Sequence, residues 1–322
     1  AKGNRQANRP LEKAGAGASR TLMRLAGAID IGGSAIKIGI VAEDGTVLTR
    51  ERVTMKMLGE PVRLVDSIVA AIRPMLDATR ANKNSVAGIG VSVAGFLNPG
   101  RSAMVHNANL PALREFELRA ALEERLSLDC RLEVDSNAAV LAEHRHGAGM
   151  GSARLLGVTV GTGLGGGVII DGQLLRFTGE CAGDIGHIIV DRTGRLCSCG
   201  ARGCLEAMVN VAALSERGNG RTVRDIITAA RDGDEASRKA VAETGWWLGL
   251  GLASLSPLFS PDRIVVGGGI AAAGDLLLEP TRASYREHVR PEFRDTTRVV
   301  GSTFDGWDGM VGAASLFLDP LA

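Results

Sequence analysis

The sequence predicts an α/β protein built from two related domains. Three observations carry this. The chain has 322 residues, enough for two domains with cores of their own. One unit, a strand, a glycine loop, a second strand and an Asp-Gly turn, occurs first from Ala28 to Gly45 and again from Leu155 to Gly172. Around these units, apolar strand-like runs alternate with segments of helical period, as α/β folds require.

In the first unit, Ala28 to Ile31 is a strand, Gly32-Gly33-Ser34 the loop and Ile36 to Val41 the second strand. Asp44-Gly45 turns the chain into a third strand at Val47-Leu48. From 61 to 80, Val62, Val65, Ile68, Val69, Ile72, Met75 and Leu76 fall at helical spacing, with Pro74 kinking or ending the helix. Val86 to Val93 is a buried strand and Leu118 to Leu126 a helix. Leu132 to Val134 is a strand running into Asp135-Ser136-Asn137, followed by a helix from Ala138 to Glu143 that Asp135 or Ser136 caps.

The second unit has strands at Leu155 to Val160 and Val168 to Ile170, joined by a loop from Gly161 to Gly167. Residues 236–256 are a long helix containing Trp246 and Trp247. Ile264 to Val266 is a strand that enters Gly267-Gly268-Gly269, and Gly309 to Leu318 is a helix of small residues. One glycine loop alone is a weak sign of phosphate binding. Two that face each other across a cleft offer backbone N–H groups from both sides.

Composition excludes several classes of partner. The net charge of +1 gives no global bias toward nucleic acid, membrane surfaces or acidic ligands. No apolar run is long enough for a membrane-spanning helix, and the start is not that of a signal peptide. Five cysteines, an odd number, argue against a disulfide framework and for a reducing cytoplasm. Residues 1–24 carry six basic side chains against Glu12 and read as a solvated, disordered tail rather than a nucleic-acid arm. Apolar helical surface favours a dimer over a monomer.

One loop gathers metal-ligand chemistry. His187 is followed by Cys197-Ser-Cys199-Gly-Ala-Arg-Gly-Cys204-Leu-Glu206. Three thiols and an imidazole are the donor set of a closed, tetrahedral structural zinc site. A disulfide plus a free thiol, or plainly buried cysteines, is the other reading. A closed site leaves no open position for chemistry, so the loop serves what it positions nearby.

These residues resemble the ROK family (repressors, open reading frames, sugar kinases). The resemblance rests on the cysteine loop with Glu206, on Ala182-Gly-Asp184-Ile-Gly-His187, and on Asp30-Ile-Gly-Gly-Ser34. It also rests on Asn109-Leu-Pro111, Asp135-Ser-Asn137, Gly161-Thr-Gly163 and the run from Ser260 to Gly269. It covers the chain from about Ala28 to the C-terminus. It implies the two-domain actin/hexokinase/Hsp70-like ATPase fold, with ATP and sugar in the interdomain cleft and a C-terminal helix packed back on the first domain. The domains would be 25–135 plus 308–322 and 136–307, with hinges near Asp135–Ala138 and Asp305–Gly309.

The resemblance also implies roles. Asp135 takes the position of the general base, against the alternative of a plain capping residue. Asp30 organises the Mg²⁺ that accompanies ATP, or is merely a turn aspartate. Gly32, Gly33 and Ser34 hold phosphate oxygens, as do Gly161, Thr162 and Gly163, while Gly267, Gly268 and Gly269 let adenosine lie against backbone. Lys37 meets phosphate or is an exposed strand residue. Asn109, Asp184, His187 and Glu206 join Asp135 in binding sugar. His187 would then ligate zinc through one nitrogen and meet sugar through the other, or serve the metal alone. His144 and His146 read as surface residues.

Two positions depart from the glucokinase pattern of the family. Val134 stands where an Asn usually precedes the catalytic Asp, and Asp184 where a Glu is usual. Both fall on sugar contacts and leave the phosphate motifs intact. The expected function is ATP-dependent phosphorylation of a sugar, at O6 of a hexose or amino sugar, with glucose itself in question. The alternative is a sugar-sensing repressor module without its DNA-binding domain. The 27 residues before the first strand are too few for a winged helix, which needs roughly 40 for a core.

Overall fold

The computed structural model describes residues 23–33, 35–54, 60–106, 110–176 and 184–319. The first half contains β1 (Leu25–Ile31), β2 (Ala35–Ala42), β3 (Val47–Thr54), α1 (Pro61–Ala81), β4 (Val86–Val93), β5 (Phe96–Leu97), β6 (Met104–His106), α2 (Leu118–Leu126), β7 (Cys130–Val134) and α3 (Asp135–His146). The second contains β8 (Arg154–Val160), β9 (Leu164–Ile170), β10 (Gln173–Leu174), α4 (Leu205–Val209), α5 (Val211–Arg217), α6 (Val223–Arg231), α7 (Glu235–Phe259), β11 (Arg263–Gly267), α8 (Asp275–His288), α9 (Pro291–Arg294), β12 (Arg298–Gly301) and α10 (Asp308–Leu318).

Two five-stranded sheets of the same design result, ordered β3-β2-β1-β4-β7 and β10-β9-β8-β11-β12. In each, an antiparallel meander is extended by two parallel strands: β1–β3 by β4 and β7, and β8–β10 by β11 and β12. The unit that recurs in the sequence is therefore one substructure made twice.

Strand alternation decides what covers each face. From β1, Ile29 and Ile31 enter a core with Ile68, Ile72, Leu118 and Leu122, under α1 and α2. Ala26 and Ala28 turn the other way, toward Met310, Ala314 and Phe317 of α10. α10 packs on β1 and β4 and on α3, which in turn lies on β8 and β9. The two sheets are thus joined through two layers of helix. At that joint the helix backbones approach closely: a Cβ on Gly312 would stand 1.7 Å from the Ala138 carbonyl oxygen. The far face of the second sheet is covered by α4 to α8, around Leu156, Val158, Leu248, Leu252 and Ile264.

Several local expectations are corrected. The loop read as Gly161 to Gly167 ends at Gly163, and Gly165 to Gly167 belong to β9. Gly165 and Gly167 lie against α3, where a Cβ on Gly167 would meet Asn137 Oδ1 at 2.8 Å, while Gly166 faces Ile185 on the other side, so small residues serve packing there. The helix expected from Ala138 begins at Asp135, with Val134 as its N-cap residue and no side-chain cap. Pro74 lies within α1, which continues to Ala81. His144 and His146 are half-buried rather than on the surface, and His144 Nε2 lies 3.1 Å from the Ser152 carbonyl oxygen. Most of the basic N-terminal stretch lies outside the described residues. Its last member, Arg24, donates to the Phe317 carbonyl at 2.9 Å and so holds the end of α10. Among the described residues, no helix is long and apolar enough to cross a membrane.

Candidate active site

A cleft of about 490 Å³ opens between the two sheets. One end is floored by Gly32, Gly33 and Gly95 of the first sheet's loops and by Gly161, Thr162, Gly163 and Gly268 of the second's. Asp184, His187, Ser198 and Glu206 line the cleft as well, with Glu206 beside Gly163 and Leu164. Asp135 lines the same cleft, with Val134, Ser136 and Asn137 beside it. Ser34 and Asn109 lie outside the described residues. Of the three glycines at the end of β11, Gly268 reaches this cleft, while Gly267 faces a small cavity behind it with Glu143, Ser302 and Asp308.

Asp135 is the first residue of α3, delivered by β7 in the middle of the molecule. Its Oδ1 accepts the Ser136 N–H at 2.8 Å, at the helix N-terminus where an anion is favoured. The side chain is open to the cleft, but protein surrounds it otherwise. That burial pushes its carboxyl up to about 6, against the pull of the Ser136 N–H, and the nearby Asp30 and Asp308 carboxylates push the same way. It is therefore mostly ionised at neutral pH.

Asp30 sits at the end of β1, 8 % exposed, and both of its oxygens are engaged. Oδ1 accepts from Ser92 Oγ at 2.8 Å and Oδ2 from Lys37 Nζ at 2.9 Å. Lys37 thus reaches Asp30 from the adjacent strand and is not a free strand residue. Asp308 opens α10 close by; burial and then Asp30 push its carboxyl above the ordinary range, while Lys37 pulls it back. Asp135 on the cleft, with Asp30, Asp308 and Lys37 close behind it, gives this region the carboxylates a divalent cation carried in with a nucleotide would meet.

The cysteine loop is folded by its own backbone. Cys197 N–H donates to the Ala201 carbonyl at 2.8 Å, and Gly203 N–H to that of Arg195 at 2.8 Å. Gly203 takes φ +75°, and a Cβ there would lie 1.5 Å from the Asp191 carbonyl oxygen, so only glycine fits. The ligand atoms of His187, Cys197, Cys199 and Cys204 all lie within 4.8 Å of one another. Cys199 and Cys204 Sγ are 3.6 Å apart, and His187 Nδ1 is 3.5 Å from Cys197 Sγ. Tetrahedral zinc with Zn–S near about 2.3 Å puts sulfurs roughly 3.8 Å apart, so the four donors fit that ion.

The imidazole has a partner on its other side: Nε2 lies 3.5 Å from Asp184 Oδ2. Burial raises the Asp184 carboxyl above its usual range, His187 lowers it, and Glu206 raises it further. Glu206 is held at both oxygens. Oε2 accepts the Leu164 N–H at 3.0 Å and Oε1 accepts from Ser198 Oγ at 3.2 Å. Ser198 is a cleft residue that sequence reasoning missed. Its place between two expected metal ligands was the one available signal. Glu133, also missed, is fully buried beside Asp135 and pairs with Arg101 and Arg176.

Known proteins resemble this chain in sequence and fold. The chain is 34 % identical to a glucokinase of Streptomyces coelicolor, over 91 % of this chain and 97 % of that one. It is 30 % identical to an N-acetylmannosamine kinase of Escherichia coli, over 76 % of this chain and 83 % of the other. A crystal structure of a ROK glucokinase from Streptomyces griseus, in complex with glucose and AMPPNP, superposes with a TM-score of 0.79 at 34 % identity. That match covers 91 % of this chain and 99 % of the other. The profile of the ROK family matches residues 26–320. The chain belongs to the ROK family, in its sugar-kinase branch.

Proposed function

We propose that this ATP-dependent sugar kinase transfers the γ-phosphoryl group to O6 of an uncharged or amino hexose, with Asp135 as general base. The observation that carries the reading is the place of Asp135. It lines one cleft together with the glycine loops and with Asp184, His187 and Glu206.

The steps follow from that placement. The sugar hydroxyl lies against Asp135, which takes its proton as the oxygen attacks the γ-phosphorus. The bond from that phosphorus to the β,γ-bridging oxygen breaks and ADP departs. Backbone N–H groups at Gly32–Gly33 and Gly161–Gly163 hold phosphate oxygens. Mg²⁺ would enter with ATP as part of the substrate and would supply charge neutralisation of the triphosphate, with Asp30 the carboxylate nearest the Gly32–Gly33 loop to meet it. Gly268 admits the nucleoside to the backbone at the end of β11.

The sugar end presents acceptors and an imidazole. Among the described lining residues no Lys or Arg faces the cleft. Such a site suits neutral hydroxyls or an ammonium and opposes a sugar acid or sugar phosphate by charge. Val134 lines the cleft as a hydrocarbon surface without hydrogen-bonding capacity. This favours a sugar other than glucose, such as an amino hexose, a ketose or a hexose altered at position 4. Zinc in the His187–Cys197–Cys199–Cys204 set would brace the loop that carries Ser198 and leads into Glu206.

The test is ADP release from MgATP with a panel of hexoses and hexosamines, together with Asp135→Ala. Turnover of one neutral or amino hexose, lost by about 10² or more in the variant while sugar binding persists, is the expected result. Phosphorus NMR of the product should place the phosphate on O6. An Asp135→Ala variant that turns over like wild type would refute the base, and a product phosphorylated at another oxygen would refute the regiochemistry.

A further inference from the structure

Glu133 has no solvent exposure, and a buried carboxylate is tolerated only when it is paired and hydrogen-bonded. Here every partner is in place. Oε1 accepts from the Arg101 guanidinium, from Asn137 Nδ2 at 3.0 Å and from the Val134 N–H at 3.0 Å. Oε2 accepts from Arg176 Nε and Nη2, both at 3.0 Å.

The two arginines come from different halves of the molecule. Arg101 lies between β5 and β6, beside the first sheet, and also holds the Leu132 carbonyl of β7 through Nη2 at 2.8 Å. Arg176 follows β10, at the edge of the second sheet. They meet on the strand residue two before Asp135, where the chain passes from the first sheet into α3. Arg101 moves with β7. A rotation of one sheet against the other would therefore strain the Arg176 contact as well as the joint between α10 and α3.

The geometry points to Arg101–Glu133–Arg176 as an inter-lobe clamp that sets the position of Asp135 and restrains opening of the cleft, with Glu133 and Arg176 as positioning residues. Neither touches the cleft itself, since neither lines it. A buried, doubly paired carboxylate at this junction exceeds what folding of β7 requires, because an apolar residue would fill the site without desolvating charge. A kinase whose cleft closes on its substrates needs a joint with two defined states, and breaking an ion pair provides one. The kinetic part of this inference rests on the sugar-kinase reading; the mechanical part does not.

The experiment uses the full chain with Arg176→Ala, Arg176→Gln, Glu133→Gln and the double variant Glu133→Gln/Arg176→Ala. Arg176 is one-third exposed, so its replacement is the milder change, and the glutamine variant serves if alanine prevents folding. Small-angle scattering of the ligand-free proteins should show Arg176→Ala more expanded than wild type. The two should converge when sugar and a non-hydrolysable ATP analogue are added. kcat per folded molecule should fall about tenfold or more, a scale on which misplacement of a reacting group by an ångström acts. KM for MgATP should stay within about threefold, and the double variant should be no slower than the worse single, as for groups acting as one unit.

A merely structural role would lower Tm and leave kcat per folded molecule and the radius of gyration at wild-type values; that result overturns the proposal. Should wild type release no ADP with any sugar, the kinase reading fails, and the ligand-free scattering comparison still decides the clamp.

Discussion

Ser198 Oγ donates a hydrogen bond to Glu206 Oε1 at 3.2 Å, across the short loop that also carries three cysteines. The Leu164 N–H fixes the other carboxylate oxygen at 3.0 Å. Glu206 is therefore aimed from two sides, by the cysteine loop and by the glycine-loop strand. Removing the hydroxyl frees one side only. Ser198→Ala should raise KM for the sugar about three- to tenfold, the effect of losing one ordinary hydrogen bond of about 1 kcal/mol, and leave KM for MgATP unchanged. Steady-state kinetics with each substrate varied in turn measures this. An equal rise in both constants would show that the loop acts on the whole cleft.

The Asp135 carboxyl, pushed up to about 6 by burial, gives the pH dependence a definite sign. As base it works ionised, so kcat/KM should rise with pH through about 6 and level off above 7. The stability effect is opposite. A carboxyl whose folded pKa exceeds its unfolded value favours the fold when protonated, and that contribution is lost as pH rises through about 6. Asp135→Asn should thus be inactive yet melt at or above the wild-type temperature at pH 8, with the difference shrinking below pH 6. An acidic limb that stays in place when a weak residual rate is followed in Asp135→Asn would assign it to another group.

The sequence made the sheet skeleton legible because strand, glycine loop, strand and Asp-Gly turn recur with the same spacing. It also showed α2 and the core of α7, whose apolar periods are clean. Gly165 to Gly167 misled, since a glycine run in a strand looks like a loop until the helix it packs against is known. α4 to α6 and α8 went unread, because short amphipathic helices carry few periods and depend on tertiary packing. At the site, residues in local motifs were visible. Ser198 and the Arg101–Glu133–Arg176 cluster were not, because their partners are far apart in sequence and nothing local marks them.

Gly312 tests the joint between the two halves. A methyl group there would lie 1.7 Å from the Ala138 carbonyl oxygen, which is helix backbone and cannot swing aside. Gly312→Ala should force α10 away from α3 and cost about 2–3 kcal/mol, at the upper end of overpacking penalties. Denaturant unfolding would read this as a lower midpoint. Gly269→Ala, with no atom within 4 Å of the added carbon, serves as the control and should leave stability close to wild type.

The His187–Cys197–Cys199–Cys204 set makes the last prediction. Its donors lie within 4.8 Å of one another, and three are thiols that have no other bonding partner of comparable strength. Elemental analysis of purified protein should find about one zinc per chain, the stoichiometry of a closed tetrahedral site. Chelation should then remove stability and sugar affinity together, because the loop that presents Ser198 and leads into Glu206 is the one the metal closes. Nucleotide binding should be less affected, since Gly32 and Gly33 belong to the first sheet, and the loop from Gly161 to Gly163 is a turn between β8 and β9 that meets the metal-closed segment through Glu206. Isothermal titration of sugar and of a nucleotide analogue, before and after chelation, separates the two ends of the cleft. Loss of nucleotide affinity in step with sugar affinity would mean that metal removal unfolds the second lobe as a whole. Full retention of sugar affinity would deny the loop its part in the sugar site.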